Sequence, residues 1–228
     1  MLLPGLDGTG ELFAEFVAAL PKTISTKIVS YPVKEFLSYA DLRPLVIAAI
    51  PKSEPFLLLG ESFSSPLAVE LAATRPSNLV ALIICAGFVS RPLGAWSPLA
   101  RALAWPWLFK LNPPRFLMEY LSTGQDAPQA LMEKARQVRR SVSPAVMCGR
   151  SREVLACDAR QALARVSVPM LCVSGTEEHL LASSCLKEMK RIKPEMFIAE
   201  IAGPHMLLQR EPKKAAEIVS TFMDNLRI

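Results

Sequence analysis

Apolar residues follow two spacings along this chain. Short continuous runs occupy residues 27–31, 55–60, 79–85, 168–174 and 195–201, and a further run ends at Leu2-Leu3. Between them, residues 11–20, 39–50, 64–74, 180–192 and 212–226 repeat apolar side chains at helical intervals. Unbroken apolar runs predict parallel strands covered on both faces. Their alternation with helices predicts an α/β fold, with a doubly wound, mostly parallel sheet of about six strands.

The rhythm breaks between residues 91 and 163. No β-rich run occurs there, and seven prolines, among them Pro92, Pro106, Pro113 and Pro144, cut the stretch into short helical pieces. Trp96, Trp105, Trp107, Phe109, Phe116 and Tyr120 crowd its first half. The pattern predicts a core made of residues 1–90 and 164–228, with residues 91–163 inserted as a helical cap.

Composition narrows the options. A chain of 228 residues with 51% hydrophobic and 21% charged side chains can bury a single core and has no disordered signature. The formal charge of +5 is dispersed, without the basic stripe of a nucleic-acid binder. Five cysteines without paired spacing argue against a disulfide framework and against metal ligation. No apolar run reaches the length of a membrane span, and residues 1–5 lack the basic region of a signal peptide. The expectation is a cytoplasmic protein with no cofactor, no metal, no nucleic-acid partner and no integral membrane segment.

Candidate chemistry gathers at predicted strand ends. Gly60-Glu61-Ser62-Phe63-Ser64 closes a buried run and opens a helical one, the strand-turn-helix setting of a nucleophile elbow. Ser64 stands where glycine is usual, which places a larger residue in a tight turn. Read blandly, Ser62 would cap the next helix. His179 and His205 are the only histidines, and His205 follows the last predicted strand, where a base for Ser62 would have to lie. Glu177 and Glu178 follow the strand at 168–174 and offer a carboxylate to orient the imidazole; they equally suit a helix start. Residues 2–10, Leu-Leu-Pro-Gly-Leu-Asp-Gly-Thr-Gly, lack a phosphate-loop or dinucleotide fingerprint. They read either as turn chemistry capped by Asp7 or Thr9, or as an oxyanion loop in which the N–H groups of Leu6 and Phe63 face the developing charge.

Together, L-P-G-L-D-G, G-E-S-F-S, G-T-E-E and G-P-H resemble the α/β-hydrolase superfamily, in particular its small esterases and acyltransferases, including a plant esterase/lipase/thioesterase group with the same opening motif. The resemblance spans nearly the whole chain. It implies Ser62 as nucleophile, His205 as base, Glu178 as the acid where the family carries Asp, Glu177 as the fallback, and Leu6 and Phe63 as oxyanion donors. It implies a small-molecule ester as substrate; separately, the aromatic run from Trp96 to Phe116 is expected to roof the nucleophile and offer an apolar pocket with Trp96, Trp105 and Trp107, while most of those rings pack within the cap. The resemblance also places Leu2-Leu3 at the family's third strand, so that a compact sheet without the first two is expected. Acyl transfer, thioester or lactone hydrolysis, and a non-catalytic binding role are the alternatives.

Overall fold

A computed structural model describes residues 1–111 and 113–226. Five strands, β1 (Leu2–Leu3), β2 (Phe56–Glu61), β3 (Leu79–Cys85), β4 (Met170–Gly175) and β5 (Phe197–Ile201), form one sheet in the order β1-β2-β3-β4-β5. Every pairing is parallel.

The expected strand at 27–31 is reduced to a single parallel bridge between Ile28 and Leu2. Leu2 N donates to Lys27 O at 2.8 Å and Val29 N to Leu2 O at 3.0 Å. The ladder then stops, because Pro4 has no N–H to continue it and Tyr31 N donates to Gly8 O instead. This segment nevertheless shields the edge of β1. At the opposite edge, β5 departs from the expectation of burial on both faces: Phe197 and Ile198 are exposed at what is the edge strand among the described residues.

The side chains of each strand alternate between two clusters, as the period of two requires. Leu3, Leu58, Leu82, Ile84 and Cys172 pack on one face with helices α2 (Tyr39–Ala49), α3 (Ser65–Ala73), α8 (Arg160–Arg165) and α9 (Ser184–Ile192). Leu2, Leu59, Ala81, Ile83 and Val173 pack on the other with α1 (Ala14–Ala19), α10 (Leu207–Arg210) and α11 (Pro212–Asn225). Helix α2 begins at a capping box in which Ser38 and Asp41 satisfy each other's backbone N–H groups. Between β3 and β4 the chain forms α4 (Ser97–Leu103), α5 (Arg115–Met118), α6 (Gln129–Ser141), α7 (Pro144–Val154) and α8, so the proline-punctuated stretch is helical as expected. Among the described residues no helix is long and apolar enough to cross a membrane.

From β1 the chain runs outward to the bridge at Ile28, then returns across β1 to enter β2 on its other side. The crossovers therefore reverse direction between β1 and β2, and the crevice at the carboxyl ends of those two strands is where an open α/β sheet binds ligands. The crevice depends on how closely α3 follows β2. A Cβ on Gly60 would lie 2.7 Å from Ala68 Cβ and 3.0 Å from Ser64 O. Gly60→Ala is thus expected to push α3 off the sheet and to destabilise the protein by about 1–3 kcal/mol, read from urea unfolding midpoints.

Candidate active site

Ser62 sits at the turn between β2 and α3 with φ of +46°. A non-glycine residue in the left-handed region is strained, and such strain persists only where its surroundings enforce it. The strain falls on Ser62 and not on Ser64, whose φ of −81° is ordinary. Ser64 is instead a link. Its fully buried hydroxyl donates to the Pro4 carbonyl and pairs with Tyr31 Oη at 2.8 Å, tying the end of β1 to the turn after β2.

Ser62 Oγ lies 2.8 Å from His205 Nε2, and His205 Nδ1 lies 2.6 Å from Glu178 Oε2. Ser62 therefore serves the imidazole rather than capping a helix. Glu178 is doubly anchored, because its Oε1 also accepts the N–H groups of Leu180 at 2.7 Å and Leu181 at 3.0 Å. Burial pushes its carboxyl up, but the hydrogen bond and charge of His205, with those two N–H groups, outweigh it and leave Glu178 below the ordinary carboxylate range. An ionised carboxylate can only accept. Nδ1 consequently carries the proton and Nε2 is left to accept the Ser62 hydroxyl.

The loops that carry the acid and the histidine are fastened by backbone: Thr176 N donates to Ile201 O and Glu177 N to Gly203 O, both at 3.0 Å. This pairing turns Glu178 inward and leaves Glu177 exposed. His179, the second histidine, is exposed and stacks on Tyr120 with centroids 4.5 Å apart.

These residues open onto a cavity of about 340 Å³ whose lining includes Leu6, Phe63, Phe88, Leu93, Val154 and Leu181. Its wall is mainly apolar, with Asp7, Glu61, Ser122, Ser151 and Gln209 as polar exceptions beside Ser62 and His205. Leu6 and Phe63 line the same cavity as Ser62. The turn chemistry expected of the glycine-rich loop is present, since Asp7 Oδ1 accepts from Thr9 N at 2.8 Å and Thr9 Oγ1 accepts from Glu11 N at 3.1 Å. The expectation for the cap tryptophans is corrected. Trp96, Trp105 and Trp107 are 73%, 55% and 59% exposed and do not line the cavity. The short pieces that bear them bury little of their own surface, since Leu99, Leu103, Leu108 and Leu111 are exposed as well. The insertion reaches the cavity through Pro92, Leu93, Ser122, Ser151, Val154 and Leu155 instead.

Sequence reasoning missed three residues. Glu61, next to the candidate nucleophile, is buried and accepts from Gln209 Nε2 at 2.9 Å. Burial raises its carboxyl to about 7, against the opposing pull of the Gln209 amide. Arg150, from α7, is 1% exposed and donates to the carbonyls of Leu6, Asp7 and Pro32. A signal for it exists: Val146, Arg150 and Val154 fall on one helical stripe, so the arginine interrupts an otherwise apolar face.

No family model matches the chain. Among curated proteins, the polyketide synthase ThaQ of Burkholderia thailandensis is 25% identical over 259 aligned residues, which take in 98% of this chain and only 12% of the synthase. Among solved structures, MenH from S. aureus superposes with a TM-score of 0.81 at 16% identity, covering 100% of this chain and 93% of that one. A lipase-esterase related protein from Clostridium acetobutylicum gives 0.77 at 15% identity, covering 97% and 92%. The enol-lactonase from Burkholderia xenovorans gives 0.75 at 16%, covering 98% and 90%. With its parallel sheet, its strained turn after β2 and these superpositions, the chain has the α/β-hydrolase fold.

Proposed function

We propose that the protein is a serine hydrolase that cleaves carboxylic esters through an acyl-enzyme. The observation that carries this reading is the unbroken line of hydrogen bonds from Ser62 Oγ through His205 to Glu178, set at the mouth of a mainly apolar cavity. His205 Nε2 takes the Ser62 proton as Oγ attacks the ester carbonyl carbon. The carbonyl oxygen becomes an oxyanion held by the N–H groups of Leu6 and Phe63. As that intermediate collapses, the carbon–oxygen bond to the alcohol breaks and His205 returns the proton to the alcohol. Water then repeats the sequence on the acyl-enzyme and frees the acid. Glu178 stays ionised throughout and stabilises the imidazolium.

The cavity lining supports an uncharged acyl or alcohol group as its occupant, with residues 91–163 acting as the cap that closes one side. The same groups would serve acyl transfer to an alcohol, or thioester or lactone hydrolysis. A panel of p-nitrophenyl esters of increasing acyl length, beside thioesters and lactones, ranks these substrates.

A fluorophosphonate probe is expected to label the wild type, and Ser62→Ala to lose the label entirely while remaining folded. A folded wild type that resists the probe would refute the reading in favour of a binding protein. His205→Ala should lower kcat by about 10³-fold or more. Between the two glutamates, Glu178→Gln is expected to lose about 10²- to 10⁴-fold in kcat, because the imidazole loses the acceptor that fixes its tautomer; Glu177→Gln should stay within about twofold. Comparable losses in both would remove Glu178 from its role.

Glu61 gives a pH signature. Its folded carboxyl titrates near 7, whereas the unfolded one titrates near 4.3. Between these values the unfolded chain binds fewer protons, so stability contributed by Glu61 is complete at low pH and falls as pH rises toward 7. Urea unfolding from pH 5 to 7.5 should therefore show a decline, by up to about 3 kcal/mol, that Glu61→Gln flattens. Equal slopes in both proteins would contradict the burial of an ionising Glu61.

A further inference from the structure

Arg150 is almost wholly buried, yet among the described residues it pairs with no carboxylate. Its Nη1 donates to Leu6 O at 2.9 Å and Asp7 O at 2.6 Å, and Nη2 to Pro32 O at 2.9 Å. The rings of Tyr31 and Phe63 lie with their centroids 5.6 and 5.8 Å from Cζ, and among the described residues Nε has no hydrogen-bond partner. Carbonyl dipoles and ring faces offset the cation only in part, so its field persists in the low-dielectric interior. The loop is shaped around it. Gly8 has φ of +71°, and a Cβ there would lie 2.4 Å from Arg150 Nη1.

The backbone connects this cation to the candidate oxyanion hole. The Asp7 carbonyl that accepts from Arg150 belongs to the same peptide unit as the Gly8 N–H. That N–H donates to Gly5 O at 3.0 Å, and the Gly5 carbonyl shares its peptide unit with the Leu6 N–H. Leu6 lines the cavity beside Ser62. In such a chain each accepted hydrogen bond polarises its peptide and makes the next N–H a stronger donor.

We propose that Arg150 is a positioning residue for the oxyanion hole, which holds and polarises the Leu6 N–H through the Asp7–Gly8 and Gly5–Leu6 peptides. This rests on the acyl-transfer reading above. The effect grows with charge on the carbonyl oxygen, so it strengthens from bound ester to tetrahedral intermediate and acts on kcat rather than on KM. Neutral donors could satisfy three carbonyls equally well. A cation at that position adds a field directed along the peptide chain toward the reacting oxygen.

The test compares full-length wild type, Arg150→Lys and Arg150→Met with p-nitrophenyl butyrate as substrate and a trifluoromethyl ketone as tetrahedral-adduct inhibitor. In Arg150→Met, kcat should fall about tenfold or more with KM within about twofold, and the inhibition constant should rise by the factor that kcat loses. Arg150→Lys, which restores the charge but cannot donate to all three carbonyls, should recover part of the loss and remain at least about threefold below wild type. An Arg150→Met kcat within twofold of wild type, or a loss confined to KM, overturns the proposal. If circular dichroism shows Arg150→Met to be unfolded, Arg150→Lys decides: reduced kcat at unchanged KM supports the relay, and wild-type kcat overturns it. Wild type that neither turns over ester nor takes a fluorophosphonate label overturns the acyl-transfer reading and this inference together. Wild type that does both, beside variants that match it, overturns the inference alone.

Discussion

The close approach of α3 to the end of β2 is the constraint from which the rest of the site follows. Gly60 lets the helix start within contact distance of the strand that feeds it, and the chain can turn so sharply only by placing Ser62 at positive φ. That strain is unfavourable by about 1–3 kcal/mol, so the turn needs support from outside itself. Tyr39 provides part of it, donating to Phe63 O at 2.7 Å and stacking on the Phe63 ring at 4.8 Å. Ser64 provides more, through Pro4 and Tyr31. The hydroxyl that makes this turn unusual in sequence is the group that fastens it to β1.

A second consequence concerns the order of the loops. Because the crossovers reverse between β1 and β2, the Leu6 loop and the Ser62 turn face each other across one crevice. Glu178 and His205 come from β4 and β5, on the far side of β3, and must reach inward. The two backbone hydrogen bonds between their loops make that reach a shared one. A longer acid than aspartate is accommodated because Glu178 is braced by Leu180 and Leu181 on one oxygen while the other meets the imidazole.

How much of this was legible in the sequence depends on whether a residue acts near its own strand end. The alternation of apolar runs identified the parallel sheet and the helical insertion, and strand-end position singled out Ser62, His205 and the pair Glu177 and Glu178, of which the resemblance chose Glu178; the fold brings Ser62, His205 and Glu178 within hydrogen-bonding reach of one another. Edges were misread, because a pattern of apolar residues does not record whether a neighbour lies beyond: 27–31 keeps one bridge and β5 is half exposed. The cap tryptophans were misread for a related reason, since aromatic content gives no direction in short, proline-cut pieces. Arg150 was missed because its partners are backbone carbonyls more than a hundred residues away, and carbonyls leave no mark in a sequence.

Glu61 and Arg150 are two buried ionisable groups beside the glycine-rich loop that, among the described residues, do not pair with each other. They meet the glycine-rich loop at different residues, Glu61 beside Gly5 and Arg150 at the carbonyls of Leu6 and Asp7. Were they to meet, each would neutralise the other, and neither would act on the cavity. Held apart, Glu61 is pushed toward its neutral form by burial, with Gln209 opposing, while Arg150, even with burial lowering its pKa, remains a cation because a guanidinium does not give up its proton under ordinary conditions. The polarity of the loop is therefore set from one side. The carbonyls of Leu6 and Asp7 accept from Arg150, and under the proposal above the Leu6 N–H is the donor this leaves for negative charge forming beside Ser62.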